Sequence, residues 1–126
     1  MYDEIILSKL FTCLEHIEAI EKYFEKAKGP EQFFKLGDGL NYDATLMRLQ
    51  ALGENLKRIS QKHSAVISDL NYAEIDTVIR FRDYVSHHYE QLEHELIFEI
   101  CYKKIPQLKY CLLNLTKKDN SKDSSS

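Results

Sequence analysis

The sequence predicts an all-α protein, an antiparallel up-and-down bundle of four main helices with short turns between them. Apolar residues recur at three- and four-residue spacing over long stretches, the period of a helix with one buried stripe. Only two prolines and four glycines interrupt a chain that is 44% apolar and rich in Leu, Ile, Glu and Lys, a balance that favours helix over sheet. The links between periodic segments are mostly short, which makes neighbouring helices antiparallel. At 126 residues the chain forms one domain, large enough to bury a core without disulfides or metal.

The first helix is expected over residues 3–27, with Ile6, Leu10, Cys13, Leu14, Ile17, Ile20 and Phe24 as its stripe. Gly29-Pro30 should end it, because glycine accepts the left-handed terminal conformation and proline cannot continue the hydrogen-bond ladder. Residues 31–41 read as a short helical turn and a loop through Gly37-Asp38-Gly39, with Asn41 or Asp43 as the cap of the next helix. That helix, residues 42–63, carries Leu46, Leu49, Leu52, Leu56 and Ile59 on one face. Gly53 inside it costs on the order of 1 kcal/mol relative to alanine, which points to the close approach of another helix. A connector over residues 64–71 holds a helical turn at 66–70, and a third long helix runs over residues 72–89 with Ile75, Val78, Ile79 and Val85 inward. The last begins near Glu93 and buries Leu96, Ile97, Ile100, Ile105, Leu108, Leu112 and Leu115, with Pro106 kinking or dividing it. The bundle domain is expected to cover residues 1–116, and residues 117–126, which have nothing to bury, a disordered tail.

Composition also limits function. A net charge of −3 gives no global attraction to nucleic acid, so any RNA binding depends on local positive potential. Cys13, Cys101 and Cys111 are odd in number and form no Cys-x-x-Cys pair, so they read as reduced, buried thiols in a reducing cytoplasm. No apolar run is long enough to span a bilayer and the start has no basic-then-apolar leader, which implies a soluble, unexported protein with no membrane partner.

One stretch concentrates chemistry: residues 79–90 bring together Arg80, Arg82, Asp83, Tyr84, His87, His88 and Tyr89. Within it stands Arg82, four intervening residues, His87, one residue and Tyr89, with the acidic Asp83 directly after the arginine. This resembles the Arg-x4-His-x-Tyr signature of the HEPN superfamily, specifically its HepT toxins. The Gly53-Glu54 step in the apolar run around Leu52 is similar to a helix of that family. So is the run from Glu95 to Ile100 leading to Ile105-Pro106, and the likeness covers residues 1–115. The resemblance implies a HEPN-like helical dimer that joins through the motif face. It also implies the toxin of a type VII-like toxin-antitoxin pair: an endoribonuclease needing neither metal nor cofactor, with RNA as substrate. A minimal nucleotidyltransferase antitoxin would silence it by transferring AMP to Tyr89.

The residue types suit metal-independent RNA cleavage, in which a ribose 2′-hydroxyl attacks the adjacent phosphate. Histidine takes and gives protons near neutral pH, so His87 is the candidate general acid or base. Arg82 would hold the scissile phosphate and offset charge growing on its oxygens. Asp83 would orient Arg82 or a histidine, and Tyr89 would donate to phosphate. Arg80, His88 and Glu54 are candidate supporting residues; Arg80 competes with Arg82, and His87 and His88 are able to exchange roles. The Lys57, Arg58, Lys62, His63 cluster reads as a solvated helix end or as a set of RNA backbone contacts.

On a regular helix Tyr89 returns to within about 20° of Arg82, while His87 points about 140° away. Either the helix loosens near residues 86–89 or two copies complete one cleft; the family resemblance implies the second.

A different class of function is a non-catalytic helical dimer that docks a nucleotidyltransferase. Di-iron bundle chemistry needs Glu three residues before His, and Cys13, Ser60, Tyr84, Val85 and Gln91 occupy those places. His-Glu-x-x-His is also missing, and no basic recognition helix stands out for DNA.

Overall fold

Asp3 opens the first helix, α1 (Glu4–Phe24), its carboxylate accepting from the Ile6 N–H at 2.8 Å. The computed structural model describes residues 2–88 and 91–125, with side chains described through Lys117. Leu10, Cys13, Leu14, Ile17 and Ile20 are buried along α1 as their spacing predicts, and Ile6 and Phe24 pack against the core from its edge. The helix stops at Phe24, short of Ala27, and Gly29-Pro30 has a different use from the one expected. Pro30 starts α2 (Pro30–Lys35), where a first-turn residue has no intrahelical partner for an N–H and its absence costs nothing.

A 3₁₀ turn (Leu36–Gly39) then reverses the chain through Gly37, Asp38 and Gly39, all at positive φ (60°, 57° and 87°). The φ of 60° at Gly37 favours glycine, and a side chain there would also displace the Asn41 amide, whose Oδ1 would lie 2.5 Å from its Cβ. The following helix, α3 (Leu40–Lys62), has Gly39 as its cap and takes no side-chain cap from Asn41 or Asp43. Asn41 lies inside α3 and donates from Nδ2 to the Tyr23 carbonyl at 2.9 Å, satisfying an orphan acceptor at the end of α1. That bond, with His16 beside Arg48 at 3.1 Å, shows α1 and α3 running antiparallel. Leu46, Leu49, Leu52, Leu56 and Ile59 form the buried face of α3, joined by Tyr42, Thr45 and Gly53.

In the connector, α4 (Ser64–Leu70) buries Val66 and Leu70 and ends at Asn71, whose φ of 54° is the left-handed helix-terminating conformation that asparagine tolerates. The next helix, α5 (Ile75–His87), is shorter at both ends than the expected 72–89. Tyr72 is spent elsewhere: its hydroxyl donates to Gln107 Oε1 at 2.9 Å, tying the entry of α5 to the last helix together with Lys104 Nζ to Glu74 at 2.9 Å.

The last helical run is divided as Pro106 foretells. α6 (His94–Glu99) passes into a π turn (Ile100–Lys104) and then α7 (Ile105–Ser125). The Ile105 N–H donates to the Ile100 carbonyl five residues back, immediately before the proline that lacks an N–H of its own. Ile97, Ile100, Cys101, Ile105, Leu108, Leu112 and Leu115 face the core, whereas Leu96, expected inside, is 40% exposed. With Ile97 fully inward, its neighbour stands about 100° round the helix and reaches solvent. The backbone of α7 continues to Ser125, past Lys117 where disorder is expected; once a helix is nucleated, each added residue needs only its own two dihedrals fixed. Lys109 Nζ binds Glu21 at 2.8 Å and fastens α7 to α1.

The described residues form an all-α bundle without strands. Among them no helix is long and apolar enough to cross a membrane. Cys13 and Cys101 are buried as expected, but Cys111 is only partly so, because it lies at the margin of the α7 stripe.

Candidate active site

The site grows from the crossing of α3 and α5. Gly53 faces α5 at the point where Arg82 passes: a Cβ built on residue 53 would stand 2.6 Å from Arg82 Cβ and 3.7 Å from its Cα. Only a glycine lets the two backbones approach so closely. The next residue, Glu54, then lies alongside the arginine, and its Oε2 is 3.0 Å from Arg82 Nε. Gly53 and Glu54 thus form a seat, the glycine by its lack of a side chain and the glutamate by its charge.

Asp83 completes the hold on Arg82, with Oδ1 3.0 Å from Nη1. Glu54 and Asp83 contact the guanidinium at Nε and Nη1, and Nη2 carries two further donors. With the side chain 34% exposed, Arg82 is neither buried nor loose. Of the two roles expected for Asp83, its carboxylate serves the arginine and its backbone serves the histidine.

His87 closes α5, and its Nδ1 lies 2.7 Å from the Asp83 carbonyl oxygen. A carbonyl only accepts, so Nδ1 carries the proton and Nε2 is the ring atom left for chemistry. His88 repeats the arrangement, Nδ1 to the Tyr84 carbonyl at 3.1 Å. Its φ and ψ of −123° and 26° take the chain out of the helix only after His87, so Arg82 and His87 stay on one regular helix, about 140° apart around its axis. Both histidines are exposed.

Tyr84 is the residue that the motif reading passed over. Its ring stacks on His88 with centroids 4.9 Å apart, and its hydroxyl accepts from the Glu93 N–H at 3.3 Å, joining the end of α5 to the start of α6. The clue was its position four before His88, on the same helical face. Arg80 is exposed on α5 and stays outside the cluster of Glu54, Arg82 and Asp83. Tyr89, the candidate catalytic and modification residue, lies outside the described residues. Among the described residues, no three of His, Cys, Asp and Glu gather so as to hold a metal ion.

The family model described as Ribonuclease HepT-like matches residues 13–115, a span that takes in both the Gly53-Glu54 seat and the Arg82-to-His88 segment. The chain belongs to the HepT-like ribonuclease family. No curated protein and no solved structure matches it significantly. The HepT-like match begins within α1 and ends at Leu115, the last apolar residue of the α7 stripe, so it covers the whole packed core apart from the first turns of α1.

Proposed function

We propose that this HepT-like chain is an endoribonuclease that cuts single-stranded RNA without a metal, using Arg82 to bind the scissile phosphate and His87 Nε2 to move a proton. The observations that carry the reading are a guanidinium held on two sides and, five residues on in the same helix, an exposed imidazole whose Nδ1 proton is already committed. In the reaction the 2′-oxygen attacks phosphorus and the bond from phosphorus to the 5′-oxygen breaks, leaving a 2′,3′-cyclic phosphate and a 5′-hydroxyl. A base removes the 2′-proton and an acid gives one to the leaving oxygen. Arg82 Nη2 stabilises the added charge on the non-bridging oxygens as it develops.

Two proton-transfer roles ask for two groups. His87 supplies one, and the other is a second His87 brought by a symmetric copy, in the dimer through the motif face, or the neighbouring His88. Tyr89, two residues past His87, is the residue on which a nucleotidyltransferase antitoxin would place AMP. A bulky anion there would compete with RNA for Arg82 and silence the toxin. The setting of such a pair is the cytoplasm.

The test is cleavage of single-stranded RNA by the purified chain in the presence of a chelator, beside His87→Ala. The wild type should cut and leave cyclic phosphate ends, and His87→Ala should lose at least about 100-fold in rate. Equal behaviour of both proteins would instead favour a docking dimer without chemistry of its own.

A further inference from the structure

Glu54 has a second oxygen, and a second arginine uses it. Arg58, one turn further along α3, brings Nε within 3.2 Å of Oε1, while Arg82 holds Oε2. One carboxylate therefore sets the spacing of two guanidinium groups that come from different helices. Of the two, Arg58 is the more open, its side chain 62% exposed against 34% for Arg82.

We propose that Glu54 is a positioning residue that turns Arg82 and Arg58 into a two-cation rail, with Arg82 on the scissile phosphate and Arg58 on a neighbouring phosphate of the same RNA strand. The inference rests on the ribonuclease reading and extends it to how the strand is held. Arginine is suited to this because its planar fork keeps donors for an anion after giving one N–H to a carboxylate. Charge agrees with it. The end of α3 carries Lys57, Arg58 and Lys62 against the single carboxylate of Glu54, a local positive surface on a chain whose net charge is −3. Lys62 lies one turn beyond Arg58 on α3, so the cations continue from Arg82 through Arg58 along one side of that helix.

An i, i+4 pair that merely supports α3 would leave RNA untouched, and salt dependence separates the two cases. Binding of the full chain to a 2′-O-methyl single strand, which has no free 2′-hydroxyl and is not cut, is measured over a range of salt. Arg58→Ala should weaken binding and reduce the slope of log affinity against log salt by about 0.7, the value for one phosphate contact on a single strand. On ordinary RNA, Glu54→Gln should lower kcat on the order of 100-fold, the effect of a displaced group, with a smaller change in KM. An unchanged slope for Arg58→Ala, or wild-type turnover by Glu54→Gln, would overturn the proposal. A wild type that binds with the Arg58-dependent slope yet cuts no RNA would remove the ribonuclease reading and keep the rail. If it neither binds nor cuts, both fall.

Discussion

Arg82 Cβ occupies the space that any side chain on residue 53 would need, the two positions being 2.6 Å apart. A glycine in a helix interior lowers stability by about 1 kcal/mol, and here that loss is offset by the seating of α5 against α3. The same approach brings Glu54 into reach of Arg82 Nε, so a packing contact and an electrostatic one depend on a single missing methyl group.

Gly53→Ala should therefore destabilise the protein despite alanine's higher helix propensity. Overpacking of this kind costs about 1–3 kcal/mol, more than the propensity gain at its upper end. Denaturant titration should show a lower midpoint, and RNA cleavage should fall because Arg82 is pushed from its carboxylates. A variant as stable and as active as the wild type would mean that the helices part without consequence.

Stability should decline on mild acidification through His16. Burial, and secondly the Arg48 guanidinium, hold its pKa below the ordinary 6.5 against a weaker opposite pull from Glu15. Since the folded value is the lower one, the unfolded chain binds more protons between the two. The stabilisation is then complete above about pH 6.5 and is lost as pH falls through the folded value. His16→Gln keeps an acceptor for Arg48 but does not titrate. Urea midpoints of both proteins between about pH 8 and pH 5 should diverge below 6.5, with the wild type falling faster; parallel curves would contradict the assignment.

The thiols should divide by burial. Desolvation pushes those of Cys13 and Cys101 up to about 12, and both side chains are buried. A disulfide reagent at about pH 8 should leave these two unmodified in the native protein and reach them on unfolding, whereas Cys111, partly exposed, should react first. Early modification of Cys13 would indicate that α1 opens far more readily than its packing implies.

The helical stripes were legible because burial imposes a period, and Leu10 to Ile20 or Leu46 to Ile59 repeat it without interruption. The boundaries were less so. Asn41, an apparent cap, bonds across to Tyr23, and Pro30, an apparent stop, begins a helix; both outcomes depend on partners distant in sequence or on which side of the proline the chain continues. In the site, the resemblance to the Arg-x4-His-x-Tyr signature marked Arg82 and His87, and a glycine inside an apolar stripe hinted at the close approach at Gly53. That Glu54 is shared between Arg82 and Arg58 follows from the crossing of α3 and α5, which no local pattern encodes. Tyr84 stood in the chemistry-bearing stretch without a role, because its partners, the His88 ring and the Glu93 N–H, depend on how the chain leaves α5.

The π turn takes up one extra residue in the last helical run. Ile100 and Ile105 both face the core, although five residues of regular α-helix would place them about 140° apart. Removing one residue between them would close the turn to ordinary pitch with the two isoleucines four residues and about 40° apart, so the Leu108, Leu112 and Leu115 face would stay on the core. The turn can therefore lose its one extra residue without turning the apolar face of α7 away from the core, whereas a deletion within the regular helix after Ile105 would rotate everything beyond it by about 100°.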